Sequence, residues 1–224
     1  MKMKIIKNIF MFFMYFVYSI LVLLFLDIIN IDISKFNNIE KNIYLIITDL
    51  IYLIFVIVMY KKELYEELKR FKNNYKELIP KYLPLYILGL MLMSVSNLII
   101  TKLIGVDLSN NEIAVREYIK IFPFYMIFST VIYAPIVEEI TFRKTFKNII
   151  SNKWFYIVVS GVMFGVIHIT GNNIGINDYL LSIPYILMGM VFAYIYYDSN
   201  NIFTTISIHS MHNLILLILQ FIGG

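Results

Sequence analysis

No cysteine occurs anywhere in the 224 residues, which excludes disulfides, thiolate metal sites and a cysteine nucleophile. Charge is scarce as well: Asp, Glu, Lys and Arg make up only 15% of the chain, against 60% apolar residues. A soluble domain carries closer to a quarter of its residues charged, so this composition excludes one. The familiar hydrolase motifs are also missing. There is no His-Glu-x-x-His and no Gly-x-Ser-x-Gly, and only Asp49 lies well inside an apolar run, so an aspartyl dyad is excluded. The chain has just three histidines, no low-complexity segment and no repeat.

Long apolar runs are what the chain has instead, with a mean hydropathy of +0.76. Runs of about 18 or more such residues read as membrane spans. The expected fold is all-α: a polytopic helical membrane protein with seven transmembrane helices and one interfacial amphipathic helix. Span one covers Ile9 to Ile29 behind Lys2, Lys4 and Lys7; it is too long for a signal peptide, and no small-x-small cleavage site follows. Span two covers Ile43 to Tyr60 and contains Asp49, and span three covers Leu83 to Ile104 and contains Asn97. Between them, Lys61 to Tyr82 has apolar residues at alternating steps of four and three (Leu64, Leu68, Phe71, Tyr75, Leu78). That pattern predicts an amphipathic helix on the membrane surface, ending near Pro80. Span four starts near Ile121, span five covers Trp154 to Ile169, span six Tyr179 to Tyr197 and span seven Ile202 to Ile222. A glycine- and asparagine-rich turn, Gly171 to Asp178, joins spans five and six. The expected organisation is one integral membrane domain, in which residues 1–120 carry the first three spans and residues 121–224 the last four.

Orientation follows from the basic residues. With the N-terminus inside, fourteen of the nineteen Lys and Arg fall in cytoplasmic segments and five (Lys35, Lys41, Lys102, Arg116, Lys120) in outer loops. This matches the positive-inside rule and explains the net charge of +4 without nucleic acid. The expected location is a bacterial cytoplasmic membrane, with the C-terminus outside.

The chain is organised around Ala134 to Arg143, where Glu138 and Glu139 interrupt a long apolar run. Carboxylates at membrane depth cost roughly 2.5–3.5 kcal/mol each on insertion scales, so they persist mainly where they are used. Adjacent helical residues point about 100° apart, so the two glutamates are expected to face different partners. Arg143, four residues after Glu139, shares its face and can pair with it. Glu138 is then the carboxylate free for chemistry. Pro135, one turn earlier, lacks an N–H and is expected to kink the helix. With span four continuing to Ile150, a rise of 1.5 Å per residue sets Glu138 about 15–18 Å, His168 about 21 Å, His209 about 10 Å and Asn213 about 17 Å above the cytoplasmic ends. All four converge near mid-membrane, and His209 and Asn213 share a face, as do Phe164 and His168. His212 stands beside this group as a neighbour or a packing residue.

Two chemistries suit this set. A carboxylate and an imidazole can take a proton from water, while a second imidazole and an amide donate to an oxyanion. Alternatively, Glu138, His168 and His209 could hold Zn²⁺ with an open fourth position. Glu138-Glu139-x-x-x-Arg143, Phe164-x-x-x-His168 and His209-x-x-x-Asn213, in that order on membrane helices, resemble the three motifs of the CPBP (Abi) family of CAAX-processing and bacteriocin-processing intramembrane proteases. The resemblance covers residues 134–213. It implies that Glu138 and His168 activate water, that His209 and Asn213 stabilise the oxyanion, and that Glu139 and Arg143 belong to the site. It also implies an endopeptidase acting on a membrane-embedded or lipid-anchored peptide, in peptide maturation or bacteriocin immunity. The competing expectation is a non-enzymatic immunity factor or small transporter that uses the Glu/His cluster for binding or proton relay.

Overall fold

A chain in lipid must satisfy every backbone N–H and C=O internally, and long apolar runs do so as helices. The computed structural model describes residues 2–106, 108–169 and 174–223. Among the described residues it is helical throughout, with no strand: α1 (Lys2–Ile28), α2 (Asn38–Ile104), α3 (Asn110–Ile121), α4 (Pro123–Ile149), α5 (Lys153–Val166), α6 (Ile176–Ser199) and α7 (Ile202–Gly223). Five of these, α1, α2, α4, α6 and α7, are long and apolar enough to cross a membrane. On α1 the large side chains Phe13, Ile20, Leu24 and Phe25 all point outward and stay exposed, as a lipid-facing helix requires. The protein is a polytopic helical membrane protein.

The second helix departs from expectation. It starts on a capping box, with Asn37 and Glu40 bonding each other's backbone N–H groups, and ends at Gly105 in the left-handed region at φ 66°. Its 67 residues run unbroken through Pro80 and Pro84. It therefore contains spans two and three together with the stretch expected to form a separate interfacial helix ending near Pro80. A straight helix of that length would extend about 100 Å, more than three times the hydrocarbon thickness. This one must bend, because both of its ends meet the same part of α4. Asp49 accepts hydrogen bonds from Tyr125 (3.1 Å) and Ser129 (3.4 Å). Asn97, forty-eight residues on, borders the same cavity as Thr130. The result is an arch with two limbs joined by residues 61–82.

The apolar face of that joining stretch packs on the protein itself. Leu64 lies in one buried cluster with Ile202, and the rings of Phe71 and Phe203 are 6.2 Å apart. Buried Glu67 pairs with Lys144 and accepts from the Ile202 N–H at 2.6 Å, capping the start of α7. Around the prolines themselves, Leu78, Tyr82 and Tyr86 pack against Met188, Phe192 and Ile195 of α6 and Ile208 of α7, and this packing holds the helix through Pro80 and Pro84.

The fifth helix is short, at 14 residues or about 21 Å. It lies against α6 through Gly161 and Gly165, where an added Cβ would collide with Met190 and Ile186. Small residues four apart let two helix backbones approach closely in a membrane. The helix stops at Val166, before the expected end of span five, and His168 sits in the turn that follows, its N–H bonded to the Gly165 carbonyl at 3.1 Å. Of the expected turn at 171–178, residues 171–173 lie outside the described residues. From Gly175 the chain enters α6, with Asp178 accepting the Gly175 N–H at 2.8 Å.

Candidate active site

The fourth helix carries both glutamates and is not a regular α-helix around them. Two π-helical turns, Ser129–Tyr133 and Glu139–Lys144, flank the short α-helical piece Ala134–Glu138. Such turns bond i to i+5 and recur at functional sites. The first turn has a cause in the sequence. In an i to i+5 register the N–H that would reach the Thr130 carbonyl belongs to residue 135, a proline. Asn213 supplies the missing donor from α7, its Nδ2 lying 2.8 Å from the Thr130 oxygen. In the second turn the Ser160 hydroxyl donates to the Phe142 carbonyl at 2.7 Å, and the Thr145 hydroxyl to the Ile140 carbonyl at 2.9 Å. Pro135 thus sits just after a π-turn that accommodates it.

The expectation that the two glutamates face different partners does not hold. His209 lies between them: Nδ1 is 2.9 Å from Glu139 Oε1, and Nε2 is 3.9 Å from Glu138 Oε2. The π-turn that opens at Glu139 winds wider than an α-turn, which narrows the angle between successive side chains. The pairing of Glu139 with Arg143 is present, with Oε2 3.2 Å from Nε and both side chains 0% exposed. The guanidinium also lies over the Phe164 ring at 4.2 Å. Held by that cation, the Glu139 carboxylate only accepts, so the geometry assigns the proton of its bond with His209 to Nδ1. His209 is further fixed by Phe192, whose ring stacks on it at 4.9 Å and 27°.

A cavity of about 540 Å³ brings the remaining residues together: Glu138, His168, His209 and Asn213 all border it, as does Phe164. His168 Nδ1 is 2.8 Å from the Phe164 carbonyl, which can only accept, so Nδ1 carries the proton and Nε2 is left bare. Asn213 spends one amide N–H on Thr130 and keeps a second. His212 also borders the cavity, with its Nδ1 3.4 Å from the Tyr86 hydroxyl. Among the described residues no three His, Asp or Glu side chains form a metal-ligand group. Glu138, His168 and His209 share the cavity, and each imidazole has Nδ1 engaged, which leaves Nε2 as the nitrogen of each ring that could face a metal.

Sequence reasoning missed Tyr185 on α6. Its ring stacks on His168 at 4.3 Å and 16°, and its hydroxyl accepts from Asn111 of α3 at 3.4 Å. Phe192 and Thr130 were missed as well. An aromatic in an apolar helix and a backbone carbonyl carry no local sequence signal, and only the packing of α6 and α7 against α4 and α5 brings them in.

Residues 120–215 match the family of type II CAAX prenyl endopeptidases, Rce1-like. An uncharacterized protein of Mycoplasma capricolum subsp. capricolum is 30% identical over 161 residues, 67% of this chain and 46% of that protein. The Bacillus subtilis protein named "Putative membrane peptidase YdiL" is 31% identical over 115 residues, 50% of this chain and 43% of that protein. The chain thus spans less than half the length of these curated relatives. No solved structure matches it. Glu138, Glu139, Arg143, His168, His209 and Asn213 all lie inside the matched stretch, and residues 120–215 are thereby identified as a CPBP-type, Rce1-like segment.

Proposed function

We propose that this chain is an intramembrane endopeptidase that hydrolyses a peptide bond of a membrane-associated peptide by glutamate-activated water. The observation that carries this reading is the single cavity bordered by Glu138, His168, His209 and Asn213, at membrane depth. Water held between the Glu138 carboxylate and the bare Nε2 of His168 gives up a proton and attacks the carbonyl carbon. The oxyanion accepts hydrogen bonds from the free amide N–H of Asn213 and, with His209 as an imidazolium, from its Nε2. Glu139 acts through His209: it fixes the tautomer and orientation of the ring, while Arg143 holds Glu139 in place. The C–N bond then breaks as Glu138 returns the proton to the leaving amine. The cellular setting we propose is a bacterial cytoplasmic membrane, with the N-terminus and the basic end of the bundle inside, and the substrate a peptide in maturation or bacteriocin immunity.

The test uses purified protein in detergent, a panel of synthetic lipopeptides and product masses. Wild type should cleave, with or without 1,10-phenanthroline, and Glu138→Gln should not. Cleavage lost on chelation would return the reaction to a metal. No cleavage of any lipopeptide by wild type would favour a binding or transport role for the cluster.

A further inference from the structure

The cavity has a direction. One end of the bundle is closed by a buried polar knot: Glu67 pairs with Lys144, accepts the Ile202 N–H, and its carbonyl takes Asn201 Nδ2 at 2.9 Å. Lys81 and Tyr82 bond Asp198 at the same end, at 3.0 and 2.6 Å. None of these residues borders the cavity. The last helix starts from this knot at Ile202 and travels away from it. His209, Asn213 and Gln220, all cavity-lining, follow at about 10, 17 and 27 Å along the axis. The cavity therefore begins about a third of the way along α7 and continues to the opposite end of the bundle. There it reaches the surface beside Leu216 and Leu219, both exposed, and is ringed by the polar groups of Asn97, Asn111, Arg116 and Gln220.

The closed end is the basic end. Of the nineteen Lys and Arg, fourteen belong to the segments at or leading to it. By the positive-inside rule it faces the cytoplasm, and the mouth of the cavity faces away from it. Resting on the protease reading above for what happens inside, we infer that the cavity is entered from the non-cytoplasmic side, so that its substrate is a peptide segment already delivered across the membrane. Apolar walls (Leu90, Met93, Val115) below a polar mouth fit a segment whose apolar residues still sit at membrane depth while its polar residues have emerged. The reaction that supplies such a substrate is a translocation or membrane insertion, and hydrolysis follows it.

The absence of cysteine makes access directly measurable, because each variant carries one thiol. Leu216→Cys and Gln220→Cys mark the mouth. Leu103→Cys, at a position 79% exposed beyond the polar ring, marks the same end, and Lys69→Cys marks the basic end. Intact cells are treated with a membrane-impermeant maleimide before and after permeabilisation. Labelling of at least one mouth cysteine and of Leu103→Cys in intact cells, with Lys69→Cys reacting only after permeabilisation, is the expected result. Labelling of Lys69→Cys in intact cells overturns the inference, as does silence of Leu103→Cys or of both mouth cysteines there. Labelling reads access and the lipopeptide assay reads chemistry, so failure of one is distinguishable from failure of the other.

Discussion

His209 touches two carboxylates that differ in everything else they touch. Glu139 is fully buried between His209 and Arg143, whereas Glu138 borders the cavity and, among the described residues, has no cation at ion-pair distance beyond the imidazole at 3.9 Å. Breaking a buried pair by removing one charge costs about 3–5 kcal/mol, because the partner is left uncompensated. Glu139→Gln should therefore lower the melting temperature and also lose activity, through the unanchored His209. Glu138→Gln keeps the shape and should melt close to wild type while losing turnover. Thermal melts in the same detergent as the cleavage assay separate the two roles, and a Glu138→Gln protein that unfolds while Glu139→Gln melts normally would reverse them.

At the scale of the element, the placement of the site depends on how closely α5 approaches α6. His168 stands two residues past the end of α5, so any change in that approach moves the imidazole. Gly165→Ala would push a methyl group into Ile186, and overpacking of this kind costs about 1–3 kcal/mol. The expected outcome is a lower melting temperature together with a turnover loss larger than that of Gly175→Ala, at a glycine where an added Cβ makes only an ordinary contact with Asp178 at 4.0 Å. Turnover of the two variants, each normalised to folded protein, checks it. The sequence made the helices legible because composition and length decide them in lipid, and it made Glu138, Glu139, Arg143, His168, His209 and Asn213 legible because buried polar residues in apolar runs stand out. The π-turns were not legible. Register i to i+5 leaves no mark in composition, and the donors that stabilise it, Asn213 and Ser160, come from other helices. The same holds for α2: Pro80 is a local stop signal, and only the packing of Leu78, Tyr82 and Tyr86 against α6 and α7 shows why the helix continues.

Across the whole molecule, the pair of Glu67 and Lys144 fastens the arch of α2 to α4 and, through the Ile202 N–H, to α7. Glu67→Ala should destabilise the protein by about 3–5 kcal/mol, since it leaves a buried ammonium and an unpaired N–H. Replacing both partners, as in Glu67→Met with Lys144→Met, should recover most of that loss in a thermal melt, because apolar groups of similar volume often substitute for a buried ion pair. A double variant no more stable than Glu67→Ala would mean that the Ile202 cap matters more than the charge pair.

The arch also has a mechanical side. An unbroken helix carries bending and torsion along its length, and it yields where backbone hydrogen bonds are missing. Pro80 and Pro84 leave the Lys76 and Pro80 carbonyls without their i+4 donors, at the foot of the limb whose Leu90, Met93 and Asn97 form one wall of the cavity. That wall is stiff over its own length and compliant at its base, with Lys81 and Tyr82 pinned to Asp198 between the two prolines. The limb is built as a lever. Its fulcrum is at the basic end, so any rotation at the prolines would be carried along the limb to Asn97 at the mouth.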